Sequence, residues 1–461
     1  MLLRVFPRIL SLFLLLRIVW SYPLGSAIGL RNNVSFLNPD THWVSIWTAM
    51  PQLTEPANLP PPPYNSSTSI FQNTTIRQTI RVTQPGPEIR LRLSNAFGLE
   101  DLSITKVAIS LPVDQKLGTS AIQSNTTKDV LFSGSADTII PNGGLAVSDP
   151  IAFPVEAQDT LAIDIYLQQG QGGGAITSHP GSRTTSWMSS GDWVGKKNLT
   201  DPSVDSVDHW YFISAIEAIL PSTSRSCALI GDSITDGRGS DTNENNRWPD
   251  LLLTRMQQTP TTSSIALLNQ AAGGNRILAD GLGPNVLSRL DRDALAQSGV
   301  RYGIVFEGVN DIGVADADPE VQRQIGDRLI AAYQQIVTRF HAAGIPVFGA
   351  TITPFGAPGN ASDVQPYSNP IREETRQRIN EWIRTSGVFD AVLDFDPVLR
   401  DPEAPAQLAD EYDSGDYLHP NVAGYQAWRI IFLWNCLKSL GIRTSKYQQR
   451  AKAIAEYGWR V

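Results

Sequence analysis

The hydrophobic period of this 461-residue chain changes once, near residue 222. Between about Trp43 and Leu220 apolar side chains recur at every second position, as where Ile89, Leu91 and Leu93 alternate with Arg90, Arg92 and Ser94, and helical patterning is nearly absent. Such alternation buries one face of a strand. Strands are expected at 76–82, 89–93, 104–111, 145–147, 160–167 and 210–219, the first two joined as a hairpin through Gln84-Pro85-Gly86-Pro87. Turn signals at Asn142-Gly143-Gly144 and Gly170 to Gly174 separate the others. Residues 28–222 therefore predict an all-β region, a sandwich or jelly roll, with Pro60 to Pro63 as a surface loop. Beyond residue 222, short apolar runs at 227–230, 265–268, 303–306, 347–350 and 392–395 alternate with amphipathic segments near 248–256, 321–343, 371–385 and 422–440. That alternation predicts an α/β/α sandwich over 223–442, with a mostly parallel sheet covered on both faces. Residues 443–461 read as a basic tail.

At the amino terminus, Arg4 and Arg8 precede an apolar stretch from Ile9 to Leu16, closed by Arg17 and followed by Gly25, Ser26 and Ala27. This is the pattern of a secretory leader over residues 1–27, too short in its apolar core for the roughly 20 residues that span a bilayer. A secreted product without stable membrane insertion is expected. Asn-x-Ser/Thr sequons at Asn33, Asn65, Asn73, Asn125, Asn198 and Asn360 are compatible with glycosylation. The formal net charge of -8, which loss of the leader arginines makes more acidic, argues against a nucleic-acid partner. Only two cysteines occur, so a cysteine-ligated zinc site is not expected, and Cys227 and Cys436 are either one disulfide or two buried thiols.

The chemistry-bearing residues cluster at the ends of the expected parallel strands. The first strand runs into Gly231-Asp232-Ser233-Ile234-Thr235-Asp236-Gly237, which puts a serine where open α/β sheets place their sites. Taken alone, it reads more readily as an ordinary strand-to-helix turn with Ser233 as a helix N-cap. A serine hydroxyl needs a base and an orienting carboxylate to act as a nucleophile. Among His42, His179, His209, His341 and His419, the last stands out because it lies in Asp416-Tyr417-Leu418-His419-Pro420 at the entry of the last helix. His42, His179 and His209 fall in the β-rich region, where a surface or core role is the default, and His341 lies on a long amphipathic helix. Two further strand ends can supply donors to an oxyanion. They are Asn269-Gln270-Ala271-Ala272-Gly273-Gly274-Asn275 and Gly308-Val309-Asn310-Asp311. No two histidines share metal-ligand spacing, and no cofactor is expected.

In this order the four blocks resemble those of the SGNH, or GDSL-type, hydrolases. The resemblance covers about Ser226 to Gly441, and the layout is similar to a subgroup with a β-rich amino-terminal domain that includes acetylxylan esterase-like enzymes. It implies Ser233 as nucleophile, Asp416 and His419 as the rest of a triad, and an oxyanion hole from the Ser233 and Gly274 backbone N–H groups and the Asn310 side chain. Ile234 stands where the name-giving motif has leucine. Ala271 replaces a common glycine, so Gly274 rather than Gly273 follows from counting on from Asn269. The expectation is a secreted serine esterase acting through an acyl-enzyme on short-chain acyl esters, carbohydrate-linked acetyl esters foremost. The alternatives are a lipase or phospholipase-type acylhydrolase and a non-catalytic glycan-binding protein.

Overall fold

In the computed structural model residues 40–428 are described. The leader, Asn33, Cys436, most of the helix expected at 422–440 and the 443–461 tail lie outside them, and with Cys436 the question of its pairing to Cys227, which is itself buried.

The β-rich region forms a six-stranded antiparallel sheet, in the order Asp205–Val207, Ser186–Ser190, Thr74–Arg81, Thr160–Leu167, Lys106–Ser110 and Lys128–Val130, and a four-stranded one of Thr41–Thr48, Ile213–Pro221, Ile89–Ser94 and Leu145–Val147. Ile46, Leu91, Ile163 and Ile165 belong to the core they share. The hairpin expected across 84–87 does not form. Thr74–Arg81 pairs with Thr160–Leu167 and Ser186–Ser190, whereas Ile89–Ser94 pairs with Ile213–Pro221 and Leu145–Val147. Pro85 and Pro87 have no N–H to give, and the remaining donors are spent elsewhere, Thr83 on the Ile46 carbonyl and Gly86 on that of Val155. The segment thus carries the chain from one sheet to the other. Two expected strands are also divided: 104–111 into Leu102–Ile104 and Lys106–Ser110, and 210–219 at Phe212, whose φ of 63° breaks the extended run.

A small three-stranded sheet of Trp210–Tyr211, Thr177–His179 and Gln52–Leu53 completes this region on the side that matters for the site. In it His179 pairs with Trp210, so the segments Pro180–Arg183 and Asp208–His209 leave from one sheet end together.

Arg225–Gly231 opens the α/β part. Five parallel strands lie in the spatial order Ile265–Ala271, Arg225–Gly231, Val300–Phe306, Val347–Ala350, Ala391–Leu393. The chain therefore leaves the first strand to one side and later returns to the other, which opens a crevice at that strand's carboxyl end. The helices Trp248–Gln257, Pro319–Ala342 and Pro370–Thr385 match the amphipathic segments. Asp318 and Asn369 cap two of them through their side chains, each followed by a proline whose missing N–H costs nothing in a first turn.

The two parts have separate apolar cores and meet through polar contacts. The Ser45 N–H donates to the Ser298 carbonyl at 2.9 Å, Thr48 Oγ1 to that of Asn269 at 3.2 Å, and Gln257 Nε2 to that of Thr83 at 3.0 Å.

Candidate active site

Ser233 follows directly on the first parallel strand. Gly231 must be glycine, because a Cβ there would lie 2.4 Å from Thr235 Oγ1 and 3.1 Å from the Phe306 carbonyl. Asp232 caps the short helix Ser233–Asp236 by accepting the Ile234 N–H at 2.9 Å, so the cap is Asp232 and Ser233 is the first helical residue. The helix ends at Gly237, whose φ of 108° suits glycine.

His419 reaches Ser233 from the opposite side of the crevice. Its Nε2 lies 2.7 Å from Ser233 Oγ, and its Nδ1 lies 2.7 Å from Asp416 Oδ2. The other Asp416 oxygen accepts the N–H groups of His419 at 2.8 Å and Leu418 at 3.1 Å, which locks the Asp-x-x-His loop. Burial alone would raise the Asp416 carboxyl. The hydrogen bond and charge of His419, with the two backbone donors, outweigh it and hold the group well below the usual carboxylate range. An ionised Asp416 accepts from Nδ1–H and leaves the Nε2 lone pair facing the serine proton. Asp413, the neighbouring carboxylate, accepts the Tyr417 N–H instead.

Gly274 and Asn310 come to the same crevice. Gly274 has a φ of 67°, and Gly273 does not share this left-handed conformation. Asn310, 4% exposed, stands in the first turn of the helix Val309–Val314. Its Nδ2 donates to the Asn275 carbonyl at 2.9 Å and its Oδ1 accepts from Tyr367 Oη at 3.0 Å, so both ends of the amide are held and one Nδ2 hydrogen remains. Tyr367 had no signal in the sequence, since it lies on an irregular loop outside the four blocks.

Beneath the crevice sits a buried acidic layer. Burial, with Asp311 and Asp236 nearby, pushes the Asp232 carboxyl up to about 7. Burial likewise raises Asp311 to about 6 although it accepts the Ile277 and Leu278 N–H groups, and it raises Glu307 well above the usual range. The buried Arg289 binds Asn275 Oδ1 and the Gln270 carbonyl and offsets part of this charge.

The crevice opens as a cleft of about 690 Å³ lined by Ser233, Gly273, Gly274, Asn310, Asp416 and His419, so the residues singled out from the sequence share one surface. Its wall also includes Pro180, Gly181, Arg183, Asp208 and His209 of the β-rich region. His209 belongs to that wall because the His179–Trp210 pairing brings its loop over the cleft. His179 is buried beneath that wall, with Nε2 2.9 Å from Asp236 Oδ1 and Nδ1 3.0 Å from the Met50 carbonyl. His42 contacts the Ser224 carbonyl and His341 pairs with Asp390, both away from the cleft. Among the described residues no cluster of His, Cys, Asp and Glu could hold a metal ion, and no helix is long and apolar enough to cross a membrane.

Residues 229–427 match the model of the GDSL-like Lipase/Acylhydrolase family, so the carboxy-terminal part carries a GDSL-type domain preceded by the antiparallel β-rich region. No curated protein matches the chain. Similar solved structures include an acetyl xylan esterase from Geobacillus stearothermophilus, 17% identical over 48% of this chain and 96% of its own, with a TM-score of 0.34. Another is a GDSL-like lipase from Bacteroides thetaiotaomicron, 14% identical over 46% and 86%, with a TM-score of 0.32. A third, named TesA, is 19% identical over 47% and 99%, with a TM-score of 0.35.

Proposed function

We propose that this protein is a serine esterase that hydrolyses short-chain acyl esters through an acyl-enzyme. The observation that carries the reading is the chain of two 2.7 Å contacts from Ser233 Oγ through His419 to Asp416 at the bottom of an open cleft. His419 takes the serine proton as Oγ attacks the ester carbonyl, then returns it to the leaving alcohol. A water repeats the sequence to release the acid. Asp416 keeps the imidazole in the required tautomer and stabilises its protonated form. The Ser233 and Gly274 N–H groups and the free Nδ2 hydrogen of Asn310 receive the oxyanion. No step requires a cofactor.

The favoured alcohol is carbohydrate, because the loops at 238–247, 275–285 and 357–369 are largely polar or glycine-rich and the cleft wall carries Arg183, Asp208, His209 and Arg238. A lipase reading draws on one specific observation: Leu282 and Val364 at the cleft wall are 56% and 55% exposed, two apolar groups where the sequence suggested none. A chain-length series on aryl esters separates the two. The esterase reading expects kcat/KM to fall steeply from acetyl or butyryl to acyl groups of twelve or more carbons. A rise with length, at about 0.8 kcal/mol for each buried methylene, or a jump in activity at a lipid interface, replaces it with the lipase reading. Secretion and glycosylation complete the proposal, supported by the leader pattern and by the exposure of Asn65, Asn73, Asn125, Asn198 and Asn360.

A further inference from the structure

The wall formed by the β-rich region is built rather than incidental. The His209 Nδ1 lies 2.8 Å from the Pro180 carbonyl and Ser182 Oγ donates to that of Asp208 at 2.8 Å, which ties the two wall segments together. Below them, Gly181 packs so closely on Asp236 that a Cβ would lie 1.7 Å from its Oδ2, and His179 bonds the other oxygen. The wall is therefore fixed to the residue three positions after Ser233.

Its exposed chemistry is unspent. A carbonyl can only accept, so His209 Nδ1 carries a proton, and in the neutral ring Nε2 is an acceptor with no partner among the described residues. The half-buried Arg183 guanidinium makes no hydrogen bond or ion pair among the described residues although it lines the cleft. Its backbone is held at a φ of 52°, in the left-handed region, by the Asn243 N–H donating to its carbonyl at 2.9 Å. Strain of that kind in a residue other than glycine persists where the surroundings impose it, and it concentrates at ligand sites. Asp208 accepts from Thr185 Oγ1 at 2.8 Å and keeps further acceptor capacity.

We propose that Arg183, Asp208 and His209 form a subsite for the alcohol half of the ester and that this alcohol is a polyol of the carbohydrate class. The proposal rests on the esterase reading above and extends it to the role of the β-rich region. Adjacent hydroxyls are both donors and acceptors, and a guanidinium beside a carboxylate and an imidazole lone pair offers both kinds of partner. An acyl chain would offer no partner to the Arg183 guanidinium, the His209 Nε2 or the remaining acceptor sites of Asp208. An anionic alcohol would meet Asp208, Asp236 and Asp416 along with Arg183 and Arg238, so the cleft has no cationic excess to favour it.

The test compares two acetates of identical acyl group, mono-O-acetylated xylobiose and 4-nitrophenyl acetate, in the wild-type protein, Arg183→Gly and His209→Ala. Glycine accepts the φ of 52° without strain, so Arg183→Gly removes the side chain while sparing the backbone. The ratio of kcat/KM for the sugar ester to that for the aryl ester is expected to fall about tenfold or more in each variant. An unchanged ratio, including an equal loss on both substrates, overturns the subsite. So does a wild-type protein that cleaves the aryl ester and leaves the sugar ester intact, an outcome that spares the esterase reading. Hydrolysis of neither ester removes the esterase reading and the subsite with it.

Discussion

His419 stands between a serine and a carboxylate whose remaining oxygen is already saturated by backbone donors, so its ring has one orientation available. His419→Ala should reduce turnover about as far as Ser233→Ala, since the members of such a unit are not additive, with Asp416→Asn retaining somewhat more. Unchanged kinetics in Asp416→Asn would move the carboxylate role to Asp413. Asn310→Ala should lower kcat by roughly 10²- to 10³-fold with little change in KM, because in the proposed mechanism the amide serves charge present only in the transition state. In the proposed mechanism Tyr367 acts one step removed, as a positioning residue. Its hydroxyl holds Asn310 Oδ1, and Tyr367→Phe should cost about three- to tenfold in kcat at constant KM, the size of one neutral hydrogen bond. A change confined to KM would instead place the hydroxyl on the substrate. At this scale the convergence of Ser233, Asp416 and His419 was legible because each block is contiguous in sequence. Tyr367 was not, because what it does depends on a loop that no periodicity describes.

The elements meet at the end of the first parallel strand, where the sheet order opens a crevice and buries carboxyl groups beneath it. Burial raises Asp232 to about 7, against about 3.9 for an unfolded aspartate, so the folded chain binds the extra proton between those values. Stability is then greatest below pH 4 as far as this group is concerned and is lost as pH rises through 7. Asp232→Asn keeps an acceptor for the Ile234 N–H and removes the titration. The decline of urea-unfolding free energy between pH 5 and 8 should be shallower in this variant, and an unchanged slope would contradict the assignment. The five parallel strands and their helices were legible element by element, since apolar runs and capped amphipathic segments are local signals. The partners of the β-rich strands were not. Thr41–Thr48 finds Ile213–Pro221 at the far end of the region, and Gly86 in the turn at 84–87 donates to the Val155 carbonyl, which no local pattern announces.

Across the whole molecule, the β-rich region and the α/β part keep separate cores and join through hydrogen bonds, with the buried His179 among the links. Because Met50 can only accept, the contact to Asp236 needs a proton of its own, and the pair is held as imidazolium and carboxylate or as imidazole and carboxylic acid. His179→Ala should cost about 3 kcal/mol in unfolding free energy by stranding a buried acid, and Asp236→Asn in the same chain should restore part of it. A loss below about 0.5 kcal/mol would mean that the link is idle. The change of period near residue 222 made both architectures legible, but not that the first would wall the site of the second, because that follows from the pairing of His179 with Trp210. All of this turns on one nucleophile. The most direct measurement is the intact mass of the protein after reaction with an aryl organophosphate, followed by peptide mapping. The account predicts a single adduct, on Ser233, parallel to the loss of esterase activity, and none in Ser233→Ala. An adduct on another residue, or full activity in Ser233→Ala, would contradict it.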